Sequence, residues 1–99
     1  MIEIKMDDLA TKLAQKETFA LYFYTPICGA CMIAGRMLEL AEATTEQTIF
    51  KMDLNVTKGL AEKFKVLSIP SLARFSSGKF VAINYQFTDI TSLHLFLQS

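Results

Sequence analysis

The sequence predicts an α/β protein whose mixed sheet carries helices on both faces. Three observations point there. Segments of strand and helix character follow one another in the order β α β α β α β β α, which gives five strands. The run Phe19–Tyr24 is apolar at every position, the mark of a central strand covered on both sides. Ser77-Gly78 separates two strand-like segments as a hairpin turn. The sheet is therefore expected to be parallel at first and antiparallel at its end. The 99 residues fit one domain, residues 1–99.

Each element has a local reason. Residues 2–5 suit a short strand. Asp7 or Asp8 can cap a helix that carries Leu9 and Leu13 at i, i+4 spacing. After Phe19–Tyr24, Pro26 marks a loop. From residue 31 to about 44, Ile33, Met37, Leu40 and Ala41 form a helical stripe that Ala34 and Leu38 widen, and Gly35 permits a bend. Residues 49–54 read as a strand ended by Asn55 and Thr57. Leu60, Ala61 and Phe64 suggest a short helix, and Ser68-Ile69-Pro70 breaks the chain before a strand at 71–75. A further strand is expected at 80–85. Asp89 can cap a last helix with Ile90, Leu93 and Leu97 on one stripe.

Composition excludes several function classes. With 52% hydrophobic and 20% charged residues, the chain can bury a core without staples. Ten acidic and ten basic residues cancel, so the basic excess of a nucleic-acid footprint is missing. Apolar runs are broken by charge or Thr within about ten residues, too short to span a membrane. Residues 1–5 lack the basic region and apolar stretch of a secretory signal. With Met1 as the start, a cytoplasmic protein is expected, and in a reducing cytosol two close cysteines point to catalysis or metal binding.

Those cysteines are the most informative residues. Cys28-Gly29-Ala30-Cys31 follows the central strand and opens a helix-like segment. At a helix N-terminus, unpaired N–H groups and the macrodipole favour negative charge, which lowers a thiol pKa and supplies the nucleophilic thiolate. Two intervening residues let the second thiol fold back over one turn and close a disulfide.

The element order, with this pair at the start of the second helix, resembles the thioredoxin family along essentially the whole chain. Cys28-Gly29-Ala30-Cys31 resembles the family's Cys-Gly-Pro-Cys, Ile69-Pro70 its Ile-Pro with a cis proline, and Ser77-Gly78-Lys79 its hairpin turn. The resemblance implies a thioredoxin fold and a protein disulfide reductase needing no bound cofactor. By that resemblance Cys28 attacks a client disulfide and Cys31 resolves the mixed disulfide. Pro70 packs beside the cysteines, and the backbone of Ile69 pairs with an extended client segment. Ile27, Gly29, Ala30 and Gln86 complete the docking face. The implied partners are disulfide-containing clients and, as electron donor, a thioredoxin reductase or a low-molecular-weight thiol. A monomer is expected.

The departures from the family pattern are specific. Ile27 stands for the usual Trp before the first cysteine, and Ala30 for the motif proline. Tyr22 stands where the family has a buried Asp that serves the resolving thiol, and a phenol with pKa near 10 is a poor base at neutral pH. Lys51 matches the family's partner of that Asp, leaving Asp53 or water to replace the acid. Gln86, followed by Phe87, replaces a Gly beside the active site, and Arg36 replaces a kinking proline. A reductase narrower than a general thioredoxin is therefore expected.

Blander readings stand beside these. Lys51 is most simply a snorkelling strand residue, Tyr22 a core aromatic, and His94 a packing residue far from the cysteines. A structural zinc needs about four ligands. Two cysteines and the distant His94 do not supply them unless a dimer pools two pairs. The alternative function is an adaptor or redox switch that uses the same fold to hold one partner.

Overall fold

A computed structural model of the chain describes residues 1–57 and 59–98. Its elements are β1 (Ile2–Glu3), α1 (Met6–Ala14), β2 (Phe19–Tyr24), α2 (Gly29–Glu42), β3 (Ile49–Asp53), α3 (Leu60–Lys63), β4 (Ser71–Ser76), β5 (Lys79–Asn84) and α4 (Ile90–Gln98). The sheet order is β1-β3-β2-β4-β5. β1 and β2 run parallel to β3, and β4 pairs antiparallel with both β2 and β5. The element order and the switch from parallel to antiparallel pairing are those expected.

β2 is the central strand because its two sets of alternating side chains both find cover. Phe19, Leu21 and Phe23 join Ile4, Leu9, Met52, Leu60, Ala73 and Phe75 on one face. Ala20 and Tyr22 join Ala34, Leu38, Ala41, Ile49, Leu72, Leu93 and Leu97 on the other. The first core lies under α1 and α3, the second under α2 and α4. The sheet is thus filled on both sides, and the C-terminal end of β2 delivers the chain to the cysteine loop.

Several local expectations need correction. The first helix is entered from Lys5, not capped by an Asp in front of it. Asp8 lies in the first turn, and its carboxylate reaches back to accept the Lys5 N–H at 2.9 Å. α2 begins at Gly29, two residues earlier than expected, because Cys28 caps it. Its buried stripe is Cys31, Ala34, Gly35, Leu38 and Ala41. Ile33 and Leu40, placed on that stripe from sequence, are 65% and 57% exposed. The small residues face the sheet and let helix and strand approach closely. An ideal Cβ on Gly35 would lie 3.8 Å from the Tyr22 ring.

Two turns behave as the sequence implies. Ser77 and Gly78 both take positive φ, 52° and 78°, the conformation of a two-residue hairpin turn that matches strand twist. The Asp89 carboxylate accepts the Ser92 N–H at 2.7 Å and the Ser92 hydroxyl at 3.1 Å, capping α4. Those bonds favour the ionised form and hold its pKa below the ordinary carboxylate value, the Ser92 N–H first among them. No helix among the described residues is long and apolar enough to cross a membrane.

Candidate active site

The site is built at the junction of β2 and α2. The chain leaves the buried strand at Tyr24, passes Thr25, Pro26 and Ile27, and enters the helix through Cys28. Cys28 is extended, with φ −138° and ψ 107°, the usual state of an N-cap. Its Sγ accepts the Cys31 N–H at 3.1 Å, and its carbonyl accepts the Met32 N–H at 3.1 Å. A sulfur therefore takes the place that an Asp or Ser oxygen usually fills at a helix start. Negative charge on that sulfur is favoured by this N–H and by the macrodipole of a 14-residue helix.

Cys28 and Cys31 are joined as a disulfide, with Cα atoms 5.1 Å apart, inside the ordinary range for such bonds. The two sulfurs occupy different surroundings. Cys28 is half-buried, whereas Cys31 is 4% exposed on the inner face of α2. Ile27, just before the pair, is 94% exposed, and Gly29 and Ala30 are exposed as well. An ideal Cβ on Gly29 meets nothing within 4 Å, so the surface over the motif is open.

Two cavities flank the disulfide. One, of about 280 Å³, is lined by Ala30, Ile33, Ala34, Pro70, Tyr85 and Phe87. Here the loop before β4 meets α2, and the Ile69–Pro70 peptide bond is cis. Pro70 is half-buried, while the side chain of Ile69 packs back onto the core. Gln86 is exposed and does not line this cavity; its carbonyl accepts from Asn84 Nδ2 at 2.7 Å. Its neighbours Tyr85 and Phe87 line the cavity instead, since alternate side chains leave an extended segment on opposite sides.

The other cavity, of about 250 Å³, lies on the Cys31 side and includes Tyr22, Tyr24, Thr25, Pro26, Arg36, Glu39 and Lys51 among its walls. Tyr22 is buried, and its hydroxyl donates to the Cys31 carbonyl at 2.5 Å. Its ring stacks on Tyr24 at 5.7 Å between centroids and meets Phe87 edge-on at 6.2 Å. Burial pushes its pKa up to about 12. Tyr22 holds the backbone of Cys31 and is no base at neutral pH. Burial also raises the Tyr24 phenol, helped by its hydrogen bond to the Glu3 carboxylate.

Lys51 pairs in register with Tyr22, and its Nζ lies 5.5 Å from the Tyr24 ring centre. Asp53 does not take the place of the missing acid beside it. The Asp53 Oδ1 accepts the Asn55 N–H at 2.8 Å, and no ion pair joins it to Lys51 among the described residues. His94 packs at the far end of α2, where its Nδ1 is 2.7 Å from the Thr44 hydroxyl, roughly 20 Å of helix from the cysteines.

Tyr85, Ile33 and Tyr24 are site residues that sequence reasoning missed. The helical pattern puts Ile33 in the core, and the strand pattern puts Tyr85 at the end of the last strand. Only a register for β5 relative to the Pro70 loop could have placed Tyr85 on the groove.

A sequence model of the thioredoxin family matches residues 1–98. The chain is 28% identical over 81 residues to the thioredoxin-like protein YusE of Bacillus subtilis, covering 81% of this chain and 76% of that protein. It is 38% identical over 72 residues to a thioredoxin of Chlamydia muridarum, covering 72% of this chain and 71% of the relative. The oxidised thioredoxin of Plasmodium falciparum superposes with a TM-score of 0.82 at 18% identity, over 99% of this chain and 95% of that one, which bears on the fold alone. Together with a disulfide at the cap of α2, these matches establish that the chain belongs to the thioredoxin family of thiol–disulfide oxidoreductases.

Proposed function

We propose that this protein reduces client disulfides, with Cys28 as the attacking and Cys31 as the resolving thiol. The observation that carries the assignment is the cap geometry. Cys28 Sγ receives the Cys31 N–H at a helix N-terminus and is half-buried, while Cys31 is enclosed. The Cys28 thiolate attacks one client sulfur, a mixed disulfide forms, and the second client sulfur leaves as a thiolate. The Cys31 thiolate then attacks Cys28 Sγ, expels the first client sulfur and closes the Cys28–Cys31 disulfide. Two electrons pass from the dithiol to the client. A thioredoxin reductase or a low-molecular-weight thiol in the cytoplasm returns them, and the protein works as a monomer.

The docking face follows from the same geometry. Ile27, Gly29 and Ala30 form the exposed rim, and the backbone of Ile69 beside Pro70 offers an extended partner a strand-like edge. Gln86 contributes from outside the groove. Lys51 and Tyr22 tune the pair from the Cys31 side.

The test is a Cys31→Ser trap with Cys28→Ser as control. Exchange predicts that the trap accumulates several mixed disulfides and that the control holds none. One partner retained equally by both variants would favour an adaptor and overturn the assignment.

A further inference from the structure

The segment that presents Ile69 and Pro70 to the groove rests on the core through the Val66 and Ile69 side chains, but its backbone is sparsely hydrogen-bonded. Val66 is tied to α3 through its N–H to the Ala61 carbonyl at 2.7 Å, and β4 begins at Ser71. Between them, across residues 67–70, one hydrogen bond to the rest of the chain is present among the described residues. The Leu67 N–H donates to Tyr85 Oη at 3.0 Å. The same hydroxyl faces the Lys65 carbonyl at 3.5 Å, a weaker contact. Lys65 has φ 52°, the left-handed residue that ends α3, with the Val66 N–H bonded back to the Ala61 carbonyl. Leu67 gives no apolar anchor, since its side chain is 85% exposed.

Tyr85 thus serves two surfaces at once. Its ring lines the groove with Ala30, Ile33, Ala34, Pro70 and Phe87. Its hydroxyl meets the loop that leads to Pro70, another wall of that groove. The residue sits just past the end of β5, whose ladder to β4 fixes its position.

We propose that Tyr85 is a positioning residue for disulfide exchange with protein clients. It clasps residues 65–67 so that the Ile69 backbone is already set for an extended client segment before binding. This rests on the reductase assignment above and adds a residue to it. Ordering the loop in the free protein removes a cost that binding would otherwise carry. A small disulfide, which reaches Cys28 without lying along Ile69, gains nothing from the clasp.

The test is Tyr85→Phe in the full chain, which keeps the ring and removes only the hydroxyl. KM for insulin should rise about three- to ten-fold, the effect of one intramolecular hydrogen bond, with the larger part of the effect in KM rather than kcat. Any change in the rate of dithiobis(nitrobenzoate) reduction should be several-fold smaller than that for insulin, and hydrogen exchange at the Leu67 amide should quicken by about three- to ten-fold. An unchanged insulin KM overturns the proposal. So does an equal loss with both substrates, which would mark a general structural role. Wild-type protein that reduces neither substrate overturns the reductase assignment itself, a result visible before any variant is compared.

Discussion

Replacing Tyr22 by Phe isolates the hydroxyl that is bonded to the Cys31 carbonyl. The ring, its stacking on Tyr24 and its edge contact with Phe87 are retained, and the hydroxyl bonded to the Cys31 carbonyl is lost. Losing that bond costs about 1 kcal/mol at pH 7. The alkaline behaviour is more diagnostic. Burial lifts the Tyr22 pKa from 10.0 to about 12. The folded-state value lies above the unfolded one, so the contribution is complete below about pH 10 and disappears as pH climbs through about 12. Between pH 9 and pH 11 the wild type should lose about 1–2 kcal/mol that the Phe variant does not. Lysine titration is common to both proteins and cancels in the difference, while Tyr24, whose pKa Tyr22 helps to raise as the smallest of several causes, adds a minor part. Urea unfolding of both proteins at pH 7, 9, 10 and 11 measures it. Parallel pH curves would refute the reasoning, because they would mean that the hydroxyl ionises as easily folded as unfolded.

Other expected outcomes follow from single sites. Gly78→Ala places a Cβ 2.5 Å from the Leu13 carbonyl oxygen in a residue with φ 78°, so chemical denaturation should show a loss of about 2–4 kcal/mol. Leu38→Ala empties a fully buried position between α2 and the sheet and should cost about 3 kcal/mol in the same assay, with the redox reaction retained. Asp89→Ala removes the cap of α4 and should lower Tm at pH 7. The Asp89 pKa is depressed in the fold, so its contribution is present above the unfolded carboxylate value. The difference between variant and wild type should therefore shrink as pH falls through the folded value. In neutral His94 the proton should sit on Nδ1. The Thr44 hydroxyl lies 2.7 Å from the Ala41 carbonyl and spends its hydrogen there, so the imidazole must donate, a state that long-range nitrogen–proton NMR correlations report.

The parts of the fold that were legible are those in which one local signal has a single physical outcome. A six-residue run apolar at every position has to be covered twice, and β2 is. Ser77-Gly78 between two apolar segments has to turn tightly. Asp89 ahead of an apolar stripe has to cap it. The misses come where two outcomes share one pattern. Ile33, Ala34, Met37, Leu38, Leu40 and Ala41 fit two helical stripes one residue apart, and hydrophobicity favours the one containing Ile33 and Leu40. Packing prefers the other, because Gly35 and Ala34 let α2 approach Tyr22 and the sheet. The bulky residues then fall on the outside, where Ile33 becomes a groove wall. The cysteines were readable from their spacing and context. The Tyr85 clasp was not, since it joins residues 18 apart by way of a turn and a register that no local pattern encodes.

The two sides of the disulfide divide the chemistry between them. In the proposed exchange Cys28 needs to be anionic to attack, and the helix cap provides for that without any ionisable side chain: one N–H at 3.1 Å and the end of a long helix. Cys31 needs to lose its proton only after the mixed disulfide has formed. The Tyr22 hydroxyl is already engaged with the Cys31 carbonyl and is raised in pKa by burial, so it cannot take that proton at neutral pH. The cavity on that side opens instead to Arg36, Glu39 and Lys51, which lie along a solvent-accessible wall. The expected outcome is that the Cys31 proton leaves to solvent through that cavity, at a rate that follows hydroxide and buffer. General-base catalysis by added buffer in the resolving step, at constant pH, distinguishes this arrangement. Rates that climb with buffer concentration support it, and rates indifferent to buffer would mean that a side chain in the cavity accepts the proton.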